Sequence, residues 1–171
     1  MTANSIDLET LNSLGVEAFV ALLGGIFEHS PWVASASHAG RPFASVAALH
    51  ATMVSVVTDS GPERQLALLR AHPELARPGP LTASSSAEQG GMGLDQLAAD
   101  EAAAFDRLNS AYRTRFGFPF IIAVRGQRDR AAILAALTER LKHSRDQEMA
   151  AALAEVEKIA RFRLDDLINA S

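Results

Sequence analysis

Residues 69–89 read LRAHPELARPGPLTASSSAEQ, and the rest of the chain is arranged around them. Pro73 disfavours helical backbone at the residue before it, so a helix over Pro62–Ala71 must stop with His72 at its end. Pro78 and Pro80 keep the crossing that follows extended. Ser85-x-x-Glu88 has the form of a capping box, a serine oxygen with a glutamate three residues on, so a new helix is expected to open at Ser85. His72 then closes one helix and Glu88 stands at the start of another. Such an arrangement can set an imidazole and a carboxylate on opposite walls of one cavity. A plain helix boundary with a solvated histidine satisfies the same residues.

Outward from this stretch the chain is mostly helical. Residues 16–28 put Phe19, Leu22, Leu23 and Ile26 on one stripe. Ser30 and Pro31 suit the cap and first position of a helix through Trp32. Ser45 caps a helix carrying Leu49, Met53 and Val56, and Leu66 and Leu69 face inward on the next. Residues 94–116 read as one long helix with Leu97, Phe105, Leu108 and Tyr112 near a single stripe, and Gly117 is placed to end it in the left-handed conformation. Residues 129–141 place Ile133, Leu134, Leu137 and Leu141 on one face. Ser144-x-x-Gln147 is a second capping box, opening a last helix over residues 145–168. Short linkers and the absence of any repeat period predict an all-α fold, a single compact multi-helix domain over residues 1–171.

One segment departs from this pattern. FGFPFIIAVRG, residues 116–126, is rich in aromatic and β-branched residues like a strand, yet the sequence offers it no partner strand. It is expected to be an extended cavity wall, or a buried loop that satisfies its own polar groups.

Composition narrows the function. At 171 residues and 48% apolar content the chain can bury a real core. A net charge of −4 suggests no nucleic-acid partner. The lack of cysteine removes disulfides, thiol nucleophiles and thiolate metal sites. MTANSIDLET has no basic region followed by an apolar run, so no signal peptide is expected, and no segment suits a membrane span. The cytoplasm is the expected location. Gly24-Gly25 lies within a helical stripe and Gly90-Gly91-x-Gly93 follows no strand, so neither reads as a phosphate loop. The five histidines show no metal spacing, and no Gly-x-Ser-x-Gly elbow is present. Lys142 and Lys158 sit among charged residues and make poor imine formers. His72 and Glu88 remain, with the Phe118-Pro119-Phe120 wall and Arg161 or Arg163 as possible partners. Helix spacing separates the two arginines. Arg163 shares a face with Val156, Ile159, Ala160 and Leu167, whereas Arg161 shares one with Glu157, Lys158 and Asp165. Arg163 should therefore point inward and need an anion: Glu88, an internal aspartate, another internal ion-pair partner or a substrate carboxylate.

Five stretches together resemble the 2-oxo-4-hydroxy-4-carboxy-5-ureidoimidazoline (OHCU) decarboxylase family: LGGIFEHSPWVA (23–34), RPFASVAALH (41–50), LRAHPELA (69–76), SSAEQGGMGLDQL (85–97) and YRTRFGFPFIIAVRG (112–126). EVEKIARFRLDDL (155–167) is a weaker sixth. HPEL stands where the family usually has HPDL, and Ala87 and Gly90 fill variable positions. The resemblance implies a compact all-helical homodimer without metal or organic cofactor. It also implies decarboxylation of the ureidoimidazoline to (S)-allantoin and carbon dioxide in urate degradation. By motif, His72 is the catalytic acid/base and Glu88 its companion. Pro73, Ser85, Gln89 and the Phe118, Pro119, Phe120, Ile121 and Ile122 wall line the substrate site, and Arg163 is added from helix geometry. Two rival readings stay open. One is a non-catalytic module that binds a partner through residues 78–86. The other is an enzyme of this fold acting on another carboxylated imidazoline.

Overall fold

The computed structural model describes residues 5–169, and among these it contains nine α-helices and two short strands. The backbone groups into two compact units. One takes the chain up to Ala71 together with the stretch from Glu157 onward, and the other runs His72–Val156.

The first unit opens with β1 (Ile6–Asp7) and α1 (Leu8–Ser13), where the Asp7 carboxylate accepts from the Thr10 N–H at 2.7 Å and caps the helix. The second helix, α2 (Val16–Leu23), is five residues shorter than its apolar stripe predicts. Gly24 ends it, because a side chain there would meet the Val20 carbonyl at 2.6 Å and the Pro31 side chain at 3.2 Å. Gly24 is thus a helix stop and a point of close approach, and Gly25 lies beyond the helix. Next comes α3 (Pro31–Ser37), with Pro31 at its first position. Ser30 occupies the cap position, but its hydroxyl donates to the Glu28 carbonyl at 2.9 Å instead of capping. After it, α4 (Val46–Asp59) is capped by Ser45, whose Oγ accepts from the Ala48 N–H at 3.0 Å, and packs on α3. Pro73 stops α5 (Pro62–Ala71) where expected. Leu11, Phe19, Leu23, Leu49, Met53 and Leu69 are fully buried in this unit.

The second unit holds α6 (Ala83–Gly91), α7 (Ala99–Phe116), α8 (Arg130–Arg140) and the first half of α9 (Arg145–Leu167). Two sequence expectations are corrected here. The cap of α6 is Thr82, whose Oγ1 accepts from the Ser85 N–H at 3.2 Å. Ser85 therefore lies inside the first turn and Glu88 in the second, so Glu88 closes no capping box. Likewise α7 begins at Ala99, not at Leu94. Gly93 adopts φ +70, the Leu94 N–H bonds back to the Gln89 carbonyl at 3.0 Å, and these turns use backbone groups that a continuous helix would need. The later expectations are met. Gly117 ends α7 at φ +81, and Ser144 and Gln147 form a reciprocal box at α9 with bonds of 2.8 and 3.2 Å; Asp129, for which no cap was expected, caps α8.

Residues 118–123 form no helix or strand and belong to no sheet, as the absence of a partner strand implied. The two-stranded sheet found among the described residues was not foreseen. The last half of α9 returns to the first unit, and β2 (Ile168–Asn169) pairs in parallel with β1, Ile6 opposite Ile168.

Candidate active site

His72 follows the last residue of α5 and begins the second unit. It is buried, with 8% of its surface exposed, so the solvated-histidine reading is overturned. Three of the four residues after it are pinned to two helices. Glu74 pairs with Arg77 at 2.6 Å and with Arg113 of α7. The Leu75 carbonyl accepts from Asn109 Nδ2 of α7 at 2.8 Å. The Ala76 N–H donates to Gln89 Oε1 of α6 at 3.0 Å. Ala76 stands at φ +59, a left-handed conformation uncommon for a residue with a side chain, and the Gln89 bond holds it there. The loop carrying His72 therefore has little freedom.

On α6, Ser85, Glu88 and Gln89 are three and four residues apart and share a face. Ser85 and Gln89 are buried and Glu88 is half-buried. The bond to Ala76 commits Oε1 of Gln89 and so fixes its amide orientation, which makes Nε2 the end it presents as a donor. Phe118, Pro119, Phe120, Ile121 and Ile122 are all buried. The 3-10 turn Val124–Gly126 that follows them packs against α6. Within the second unit, then, His72, the α6 face and the extended segment belong to one packed assembly.

Behind the extended segment lies a charged cluster that the sequence reading missed. The Arg140 guanidinium donates to the Ile121 carbonyl at 2.6 Å and to Glu148 Oε2 at 2.9 Å, and it lies 4.6 Å from the centre of the Phe120 ring. The Tyr112 hydroxyl also donates to Glu148 Oε2. His143 Nδ1 meets Glu148 Oε1 at 2.8 Å, and the Ala123 N–H donates to Glu155 Oε2 at 2.8 Å. Glu148 is fully buried and Arg140 nearly so. In sequence both look like ordinary solvated helix charges. The one available signal was that Glu148 continues the apolar spacing of Ala152 and Val156.

Burial pushes the Tyr112 hydroxyl well above its ordinary value near 10. The bond to Glu148 pushes it further, and the Arg140 charge acts the other way. A folded-state value above the unfolded one contributes stability that is complete below pH ~10 and is lost as pH rises towards the folded value. Tyr112 is the chain's single tyrosine, so tyrosinate absorbance reports this group alone. In an alkaline titration the tyrosinate signal is expected to appear only together with loss of helical circular dichroism. A tyrosinate rise near pH ~10 with the helices intact would contradict the burial argument.

Arg163 belongs to the first unit. Its Nη1 pairs with Glu28 Oε2 at 2.8 Å and donates to the Gly25 and Ile26 carbonyls, with both charged side chains buried. The inward face predicted for Arg163 is observed, and the internal anion is Glu28, which the sequence reading did not name. Arg161 is exposed and pairs with Asp165 at 2.9 Å, as its charged face implied. Among the described residues no group of three or more histidine, aspartate or glutamate side chains is gathered to hold a metal ion.

Residues 12–165 match the family model described as OHCU decarboxylase. A relative from Haloferax volcanii named 2-oxo-4-hydroxy-4-carboxy-5-ureidoimidazoline decarboxylase is 44% identical over 161 residues, covering 94% of this chain and 95% of the relative. Among solved structures, an (S)-allantoin synthase is similar with a TM-score of 0.78 and 35% identity. That match covers 97% of this chain and 55% of the longer synthase chain. The fold is also shared with an OHCU decarboxylase solved in the presence of (S)-allantoin, at a TM-score of 0.67 and 23% identity, over 90% of this chain and 98% of the other.

Proposed function

The chain is a member of the OHCU decarboxylase family, and from that membership we propose that it converts 2-oxo-4-hydroxy-4-carboxy-5-ureidoimidazoline to (S)-allantoin and carbon dioxide in urate degradation. The observation that carries this reading is the match of residues 12–165 to the family model, with a relative of that activity aligned over nearly its whole length. The match includes residues of both compact units, which supports treating residues 1–171 as one domain of the family type.

The chemistry needs little besides placement. When the carboxylate leaves C4 as carbon dioxide, the electron pair of the broken C–C bond forms a C4=C5 double bond and the C5=N pair passes to the ring nitrogen, which takes a proton. The C4 hydroxyl is then an enol, which loses its proton and becomes a carbonyl as C5 is protonated. The substrate is its own electron sink, so an organic cofactor has no task in this step. The protein must orient the scissile bond, meet the developing oxyanion with fixed donors and return a proton to one face of the carbon. His72 is the proposed acid/base, since imidazole titrates near neutral pH in its ordinary state. What supports the role is its burial at a helix end that three side chains hold in place. Glu88 accepts from the ureido N–H groups, Gln89 donates through Nε2, and Ser85, Pro73 and the wall from Phe118 to Ile122 line the substrate. Arg163, whose guanidinium the Glu28 carboxylate meets, is proposed to bind a substrate carboxylate as well. A homodimer in the cytoplasm completes the proposal. The family resemblance supports it, and among the described residues no helix is long and apolar enough to cross a membrane.

The test is direct. Urate treated with urate oxidase and hydroxyisourate hydrolase supplies fresh substrate. Adding this protein is expected to produce a rapid circular dichroism signal of one sign, that of dextrorotatory allantoin. Slow racemic product at the protein-free rate would overturn the proposal.

A further inference from the structure

We propose that Arg140 is a positioning residue for the reaction, acting through the backbone of the substrate wall and itself held by Glu148 and Tyr112. This rests on the reading of residues 118–122 as that wall. The segment has no sheet to set its peptide planes, so something else must. Arg140 does this at one plane, with its Nη1 on the Ile121 carbonyl at 2.6 Å and its guanidinium 4.6 Å from the Phe120 ring centre. In a trans peptide the carbonyl of one residue and the N–H of the next point in opposite directions. Holding the Ile121 carbonyl on Arg140 therefore turns the Ile122 N–H to the other side, where a fixed donor can meet a developing oxyanion.

The arginine is itself immobilised. Its Nε is 2.9 Å from Glu148 Oε2, and the same oxygen accepts from Tyr112. Tyr112 in turn packs its ring edge-on against Phe118 and Phe120, at 5.9 and 5.4 Å between centres. One buried carboxylate thus joins the arginine that holds the wall's backbone to the tyrosine that supports its side chains. His143 and Glu155 also bond here, one on Glu148 Oε1 and one on the Ala123 N–H. A guanidinium can serve Glu148 and the Ile121 carbonyl from separate nitrogens in a fixed fork, and an ammonium cannot.

The experiment compares Arg140→Lys with wild type by steady-state kinetics, and follows the isoleucine methyl signals of the wild-type protein by NMR as (S)-allantoin is added. Arg140→Lys keeps the charge beside Glu148 but loses the fork. Turnover per folded molecule is expected to fall by about 10²-fold, the cost of a misplacement of about 1 Å, with KM changed only slightly. The Ile121 and Ile122 methyl signals are expected to shift with (S)-allantoin. Wild-type kcat in Arg140→Lys, or a change confined to KM, overturns the positioning role. If that happens while the methyl signals respond, the wall reading survives alone. If the methyl signals do not respond, the wall reading fails and takes this proposal with it. Should Arg140→Lys not fold, Tyr112→Phe removes only the hydroxyl that steadies Glu148. A drop in its kcat at unchanged KM then supports the role, and unchanged kcat overturns it.

Discussion

Replacing His72 with Asn is expected to lower turnover by about 10²–10⁴-fold, the usual contribution of a general acid/base, while leaving the protein folded. Asparagine keeps a polar side chain at this buried position and suits the end of a helix, so α5 should still stop at Ala71 ahead of Pro73. Glu74, Leu75 and Ala76 each pin the loop by a bond of their own, so the loop should keep its shape. His29→Asn is the matched control. His29 is exposed, stands at φ +45, a conformation that asparagine tolerates, and reaches the buried Glu28 carboxylate only at 3.9 Å, beyond hydrogen-bond distance, so its loss should have little effect on folding or rate. His143, which meets buried Glu148, is unsuitable as a silent control. Near-full turnover in folded His72→Asn would remove it from the mechanism.

Replacing Glu28 with Leu is expected to destabilise the protein by about 3–5 kcal/mol, because it strands the buried Arg163 guanidinium without its carboxylate. The double replacement Glu28→Leu with Arg163→Met should recover most of that loss in denaturant titrations, since an apolar pair of similar volume carries no desolvation cost. The double variant also separates two roles for Arg163. If the arginine serves only Glu28, the refolded double variant turns over normally. If Arg163 also binds substrate carboxylate, the variant folds but does not turn over, while Arg161→Met, which removes only an exposed pair with Asp165, behaves as wild type. A Glu28→Leu protein as stable as wild type would refute the ion-pair argument itself.

Local rules read directly from residue order were the reliable ones. Pro73 ended α5, Gly117 ended α7, Ser45 capped its helix, and Ser144 with Gln147 made a reciprocal box. Each needs only atoms within about four residues, so the chain carries the information locally. The faces of Arg161 and Arg163 were legible for the same reason, because helical spacing alone separates an apolar row from a charged one. The family itself was legible too, through motifs spread over most of the chain.

Where two local solutions competed, order along the chain was not enough. Thr82 and Ser85 both make good caps, and the chain uses Thr82, which moves Glu88 out of the cap and into the second turn of α6. The stripe over residues 16–28 was a sound helical pattern, but the approach of Pro31 to Gly24 ended it early. The partners of buried charges were out of reach altogether. Glu28 and Arg163 are 135 positions apart, and Tyr112 and Glu148 are 36 apart. A charge on a helix looks alike in sequence whether water or a distant counter-charge satisfies it. Residue order therefore supplied the helices, many of their ends and His72 as a candidate. The tertiary fold alone chose the carboxylates that neutralise Arg140 and Arg163, since burial makes an unpaired charge costly and the packing dictates which anion is within reach.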